Sequence, residues 1–127
     1  MKIMVVAKKP EHHQRLSEYV PFIRVVFGKF GVVGVQKAVI PKELIFKPII
    51  TRNLSEKKIF QTMTRGKAGY NKGQWWMAVN LGLGHNLLIQ EVLIHEAAHI
   101  AEALKSGNWG HGKEWKSLFE TLKRKIL

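Results

Sequence analysis

Residues 94–102 read IHEAAHIAE, with His95 and His99 four apart and Glu96 beside the first of them. The reading turns on whether this stretch is a helix. Leu87, Ile94, Ala98 and Ala101 recur at helical spacing and mark one broad apolar side. Asn86 is placed to cap such a helix and Gly107 to end it. On a helix, residues i and i+4 share a face, about 6 Å apart along the axis. Two imidazoles can then converge on one metal ion. Glu96 leans to the side, where it can reach a water at the ion without binding the ion itself. The competing reading is a helix with two half-buried histidines.

A catalytic zinc site takes three protein ligands and keeps a fourth position open. Glu102 shares the face of His95 and His99, but seven residues from His95 is about 10.5 Å of helix rise. It is expected behind the ligands or in solvent. His111 fits better. It follows KSGNWG, is flanked by Gly110 and Gly112, and stands just before a final helix. That helix begins near Lys113 and carries Trp115, Leu118, Leu122 and Ile126 on one stripe. Packed against the HEAAH helix, it would bring His111 over the ion. The alternative is a turn histidine near a helix N-terminus. His12, His13 and His85 lack comparable spacing.

Outward from this core, KAGYNKGQWWMAVNL (67–81) reads as a hairpin, turned at NKG, whose second strand is 74–81. GVQKAVI (34–40) and KKIFQTM (57–63) read as strands, and IPKEL (40–44) as a turn. The N-terminus, MKIMVV, reads as a first strand. Pro10 suits the first turn of a helix, and Pro21 predicts a kink or break in it. The plan is α+β: an N-terminal helix, a small antiparallel sheet, the HEAAH helix and a C-terminal helix, all in one domain over 1–127.

Composition removes several chemistries. The chain has no cysteine, so it has no disulfide framework, cysteine nucleophile or zinc ribbon. All nine acidic residues are glutamates, so a Ser-His-Asp triad is out of reach. No apolar run approaches the ~18 residues of a membrane span, and the N-terminal apolar patch is too short for a signal peptide. The expected place is the cytoplasm, near the nucleoid if DNA is a partner. The net charge is +12, and residues 1–72 carry 15 Lys/Arg against 4 Glu. Such an excess favours a polyanion, with nucleic acid first, contacted through phosphates rather than read by sequence.

HEAAH, eleven residues, then HGKEWK resembles the SprT-like metallopeptidases, the group that includes the Spartan proteases. GHGKEWKSLFETL (110–122), QEVLIHEAAH and the preceding WMAVNLGL are similar to the family's pattern, and the specific match covers about residues 75–122. The resemblance implies a zincin-type fold, zinc held by His95, His99 and His111, and Glu96 as catalytic base. It also implies endopeptidase activity with a tie to DNA, on substrates of the DNA–protein crosslink kind. SprT proteins often carry a further zinc ribbon, and Spartan proteins carry partner-binding tails. Neither can be carried over here, which would leave recruitment to the basic residues of 1–72.

Glu91, Glu102 and Glu114 are candidates to orient the imidazoles, though a solvated glutamate is the plainer reading of each alone. Trp75, Trp76 and Trp109 line the substrate cleft, stack on unpaired bases, or pack in the core. The adjacent pair must face opposite ways on a strand. Trp115 is expected between the last two helices. An exposed edge of the 74–81 strand could take substrate by strand addition. Two rivals stay open: a non-catalytic nucleic-acid-binding module with a structural zinc site, and a zinc hydrolase acting on something other than protein.

Overall fold

Two prolines set the start of the chain. The computed structural model describes residues 1–49, 64–84 and 86–127. After strand β1 (Lys2–Val5), Pro10 opens helix α1 (Pro10–Glu18) and Pro21 lies in the first turn of α2 (Val20–Gly28). Proline has no N–H to give and a fixed φ, so it suits a first turn and not a helix interior. The break expected at Pro21 falls at Tyr19, between the two helices.

The stretch 34–40 is not a strand. Short 3-10 turns cover Phe30–Val33 and Lys37–Val39, and Gly34 between them takes φ 85°. Phe30, Val33 and Val35 are buried in the core, while Val32 and Val39 are exposed. The next strand, β2 (Glu43–Pro48), starts inside the segment expected to be a turn. The strand expected at 57–63 lies outside the described residues.

A hairpin follows, β3 (Gly66–Asn71) and β4 (Gln74–Val79). Its two-residue turn has positive φ at both positions, 49° at Lys72 and 81° at Gly73. That is the primed turn whose twist matches the strands it joins. β4 ends at Val79, earlier than expected. The Asn80 side chain accepts the Gly82 N–H at 2.9 Å and starts a 3-10 turn at Leu81–Leu83.

The four strands lie in the order β1-β2-β4-β3. β1 and β2 are parallel, β2 and β4 are parallel, and only β3 and β4 are antiparallel. The sheet is therefore mixed, which corrects the expected antiparallel sheet. β2 explains the difference. Bracketed by Pro41 and Pro48 it looks like broken chain, yet Leu44 and Phe46 are fully buried. α1 and α2 supply the crossover connection that the parallel pairing of β1 and β2 requires. The insertion of β2 also makes β4 an interior strand. Among the described strands the outer edge on this side is β3, not the 74–81 strand.

Helix α3 (Asn86–Ser106) crosses one face of the sheet and α4 (Lys113–Ile126) packs against it. α3 is central, not surface-lying: Ile89, Leu93, Ile94, Ala98, Ile100 and Ala101 are fully buried. Helices buried on most sides are apolar on most sides, so one apolar stripe understated it. Leu87, expected on that stripe, is exposed. Asn86 is the first helical residue, and its side-chain oxygen accepts the Tyr19 hydroxyl. Gly107 ends α3 as expected, at φ 77° with its N–H on the Ala103 carbonyl. Trp115, Leu118 and Leu122 form the buried stripe of α4. Among the described residues no helix is long and apolar enough to cross a membrane.

Candidate metal centre

α3 presents His95 and His99 one turn apart, and the glycine-flanked loop after Ser106 folds back to bring His111 to them. One nitrogen from each of the three rings lies within 4.8 Å of the others. His99 Nε2 and His111 Nε2 face each other at 3.0 Å. Among the described residues these three form a group that could hold a metal ion. His99 is buried, His95 half-buried and His111 exposed, so the group sits at the floor of an open site.

Trp115 organises the rings. Its indole stacks on His99 at 5.0 Å and 19°. It meets His95 and His111 edge-on, at 4.7 Å each. Its Nε1–H donates to the His95 carbonyl at 3.4 Å, and Phe119 stacks behind it at 5.3 Å. Trp115 does lie between the last two helices as expected, but it also touches all three histidines. Sequence reasoning missed that role. The signal was present: Trp115 stands four positions after His111, and α4 starts between them.

Glu96 is buried, at 5% exposure, with Oε1 3.0 Å from His95 Nδ1. That contact leaves Nε2 as the free nitrogen of the His95 ring. The backbone of β3 closes over Glu96 at Gly66. A Cβ there would fall 2.6 Å from Val92 Cγ1 and 2.9 Å from Glu96 Cγ. Gly66→Ala is therefore expected to cost about 1–3 kcal/mol by overpacking and to displace the Glu96 side chain. Chemical denaturation reads the cost, and a variant as stable as the parent would contradict the close approach.

Burial holds the His99 pKa down to about 4, against a partial opposing pull from Glu96, while His95 and His111 add to the lowering. His99 is thus neutral at pH 7, the form that ligates metals. In the metal-free protein the unfolded chain binds the proton first as pH falls, because its histidine pKa is near 6.5. The stabilisation is complete above about pH 6.5 and is lost as pH falls toward 4, on the order of 3 kcal/mol in all. Denaturant midpoints of the metal-free protein at pH 7 and pH 4 should show it, and a His99→Gln variant should lose that part of the slope. Equal slopes in the two proteins would contradict the assignment.

The group opens into a cleft of about 680 Å³. One wall is the start of the hairpin, Thr64 to Ala68. The other is α3 and α4, with Leu88, Glu91, Val92 and Phe119, and Trp76 and Trp109 line the cleft too, while Trp75 does not. The remaining glutamates divide. Glu91 pairs with Lys123 at 3.0 Å and Glu114 lies 3.9 Å from Lys105, so both meet lysines rather than imidazoles. Glu102 is buried at 3% exposure and is not solvated. Its Oε1 and His99 Nδ1 are both buried without a hydrogen-bond partner. His12 and His13 lie on α1, where His13 Nδ1 meets Ser17 Oγ at 3.5 Å, and His85 lies outside the described residues. Trp75 and Trp76 face opposite sides of the sheet. Trp75 stands in register with core Leu44, and Trp76 lies under the Lys47 ammonium at 4.4 Å.

A long helix with two histidines one turn apart, a third histidine from a following loop and a buried glutamate between ligand and strand define a three-histidine metal-binding class of site. The SprT-like family model matches residues 51–126, well over half of the chain. The chain belongs to the SprT-like family. No curated protein and no solved structure matches it.

Proposed function

We propose that this protein is a zinc-dependent endopeptidase of the zincin type that works in association with DNA. The observation that carries the reading is the juxtaposition of the three ring nitrogens, within 4.8 Å of one another, with the buried carboxylate of Glu96. The donor set suits zinc. Bonds of about 2.0–2.1 Å in a tetrahedral site put ligand nitrogens about 3.3 Å apart, near the 3.0 Å between His99 and His111. Bound there, zinc supplies a Lewis acid and lowers the pKa of water at its open position toward about 7.

The other steps belong to the chain's own residues. Glu96 accepts the proton of the attacking water and passes it to the leaving amine. A structural zinc site needs no such base, which favours catalysis over a binding module. His95, His99 and His111 act as neutral ligands, their rings held by Trp115. Among the described residues no strand pairs with the outer edge of β3, which passes Glu96 at Gly66, so an extended substrate segment can add to the sheet there. Recognition through main-chain groups suits unfolded segments of varied sequence, as in proteins crosslinked to DNA. The association with DNA is supported by charge: residues 1–72 carry 15 Lys/Arg against 4 Glu.

The test is cleavage of a loosely folded basic protein by zinc-loaded enzyme, with and without single-stranded DNA. Fragments that appear or increase with DNA, fade at high salt and vanish with a chelator are expected. Metal and DNA binding without fragments would favour the structural-zinc module instead.

A further inference from the structure

Three aromatic rings follow one another along the helix side of the hairpin. Tyr70 and Trp75 stand opposite each other in the β3–β4 register, with ring centroids 4.8 Å apart. Trp75 in turn stacks on Trp109 at 5.9 Å and 29°. Trp109 comes from the loop between α3 and α4, two residues before His111, and lines the cleft that holds the histidines. Tyr70 and Trp109 are 54% and 41% exposed. Core packing alone would have covered rings of this size.

The strand register ties the cluster to the cleft. Side chains alternate along β3, so Gly66, Ala68 and Tyr70 share the face toward the helices. Gly66 backs Glu96, and Tyr70 lies four residues further along, about 13 Å at strand rise. A peptide paired to the outer edge of β3, which no described strand covers, would send every second side chain toward this face. One of them would meet Trp109 and the rings behind it.

We propose that Trp109, Trp75 and Tyr70 form a subsite for a large apolar or aromatic side chain of an extended peptide, two to four residues from the bond that is cut. This rests on the peptidase reading above. A peptide side chain is the occupant that the strand geometry supplies: Gly66 and Ala68 line the cleft, Tyr70 continues their face of β3, and Trp109, stacked on Trp75, lines the cleft as well. Arg65 and Lys67 line the same cleft, so the test must separate a peptide side chain from a stacked base.

The experiment walks a single Phe through a short alanine-rich labelled peptide. Binding is read by fluorescence anisotropy on the zinc-loaded Glu96→Gln variant, and kcat/KM on the parent enzyme. Phe at one position on one side of the cut should improve both by about tenfold over Ala, as expected for burying one aromatic side chain. Trp109→Ala and Tyr70→Ala should each remove that gain, and for Tyr70→Ala, away from the His111 loop, chelator competition should find zinc affinity unchanged. A flat scan would overturn the proposal, as would a gain that survives both substitutions. So would a Trp109→Ala variant that loses affinity for oligothymidylate while Phe position still makes no difference, since the rings would then stack on bases. A position preference in binding with no hydrolysis of any peptide would keep the subsite and remove the peptidase reading, so the two fail separately.

Discussion

Glu96→Gln is expected to lower peptide hydrolysis by a factor of about 10²–10⁴, the usual contribution of a positioned general base, and to leave fold and metal content intact. Glutamine has the same shape, so the close fit of Gly66 and Val92 around this side chain survives. Its amide can still meet His95 Nδ1, where the carboxylate now sits at 3.0 Å. What it lacks is a group able to accept a proton near neutral pH. The effect should therefore fall on kcat and spare KM, because the lost interaction belongs to the transition state. Steady-state kinetics with metal analysis on the same preparations checks this. A variant keeping more than about a tenth of the parent rate would remove Glu96 from the role of base.

His111→Ala should separate metal binding from folding. His111 is exposed, and the loop that carries it is also held by the stack of Trp109 on Trp75. Stability should change by no more than about 0.5 kcal/mol, as at most exposed positions. Metal affinity should fall by more than the 10- to 100-fold typical of losing a partner that merely orients a ligand. Since the chain has no cysteine, cobalt absorption is free of thiolate bands and reports the histidine site directly. Competition with a chelator at pH 7 gives the affinity. A loss of only a few fold would mean that His95 and His99 hold the ion with some other partner. His99→Ala is a poorer probe, because His99 is buried under the stacked Trp115 and its removal would also open a cavity.

The local signals in the sequence were reliable where short-range geometry decides the outcome. The i, i+4 histidines, the glycines around His111, the hairpin turn at Lys72–Gly73 and the stop at Gly107 all depend on residues close in the chain. The long-range pairing was not legible. β2 lies between two prolines, and nothing local says that Leu44 and Phe46 insert between β1 and β4. From that one strand follow the mixed sheet and, among the described strands, the shift of the outer edge from β4 to β3. The stretch 34–40 has the composition of a strand, and the left-handed Gly34 at φ 85° and the 3-10 turn at Lys37–Val39 break it only in three dimensions. In the site, the convergence of His95, His99 and His111 could be read from spacing, while the contact of Gly66 with Glu96 could not. A glycine that admits a neighbouring side chain looks the same in sequence as a glycine that turns the chain. Glu102 misled for a similar reason. A carboxylate on a helix is usually solvated, and only the central position of α3 buries this one.

The most direct test of the central claim is to digest an unfolded protein with the zinc-loaded enzyme in water enriched in oxygen-18 and to analyse the fragments by mass spectrometry. Peptide-bond hydrolysis predicts fragments with new amino termini and one heavy oxygen in each new carboxylate, absent with Glu96→Gln and absent after chelation. Intact substrate under every condition, with zinc bound at His95, His99 and His111 and DNA present, would contradict it.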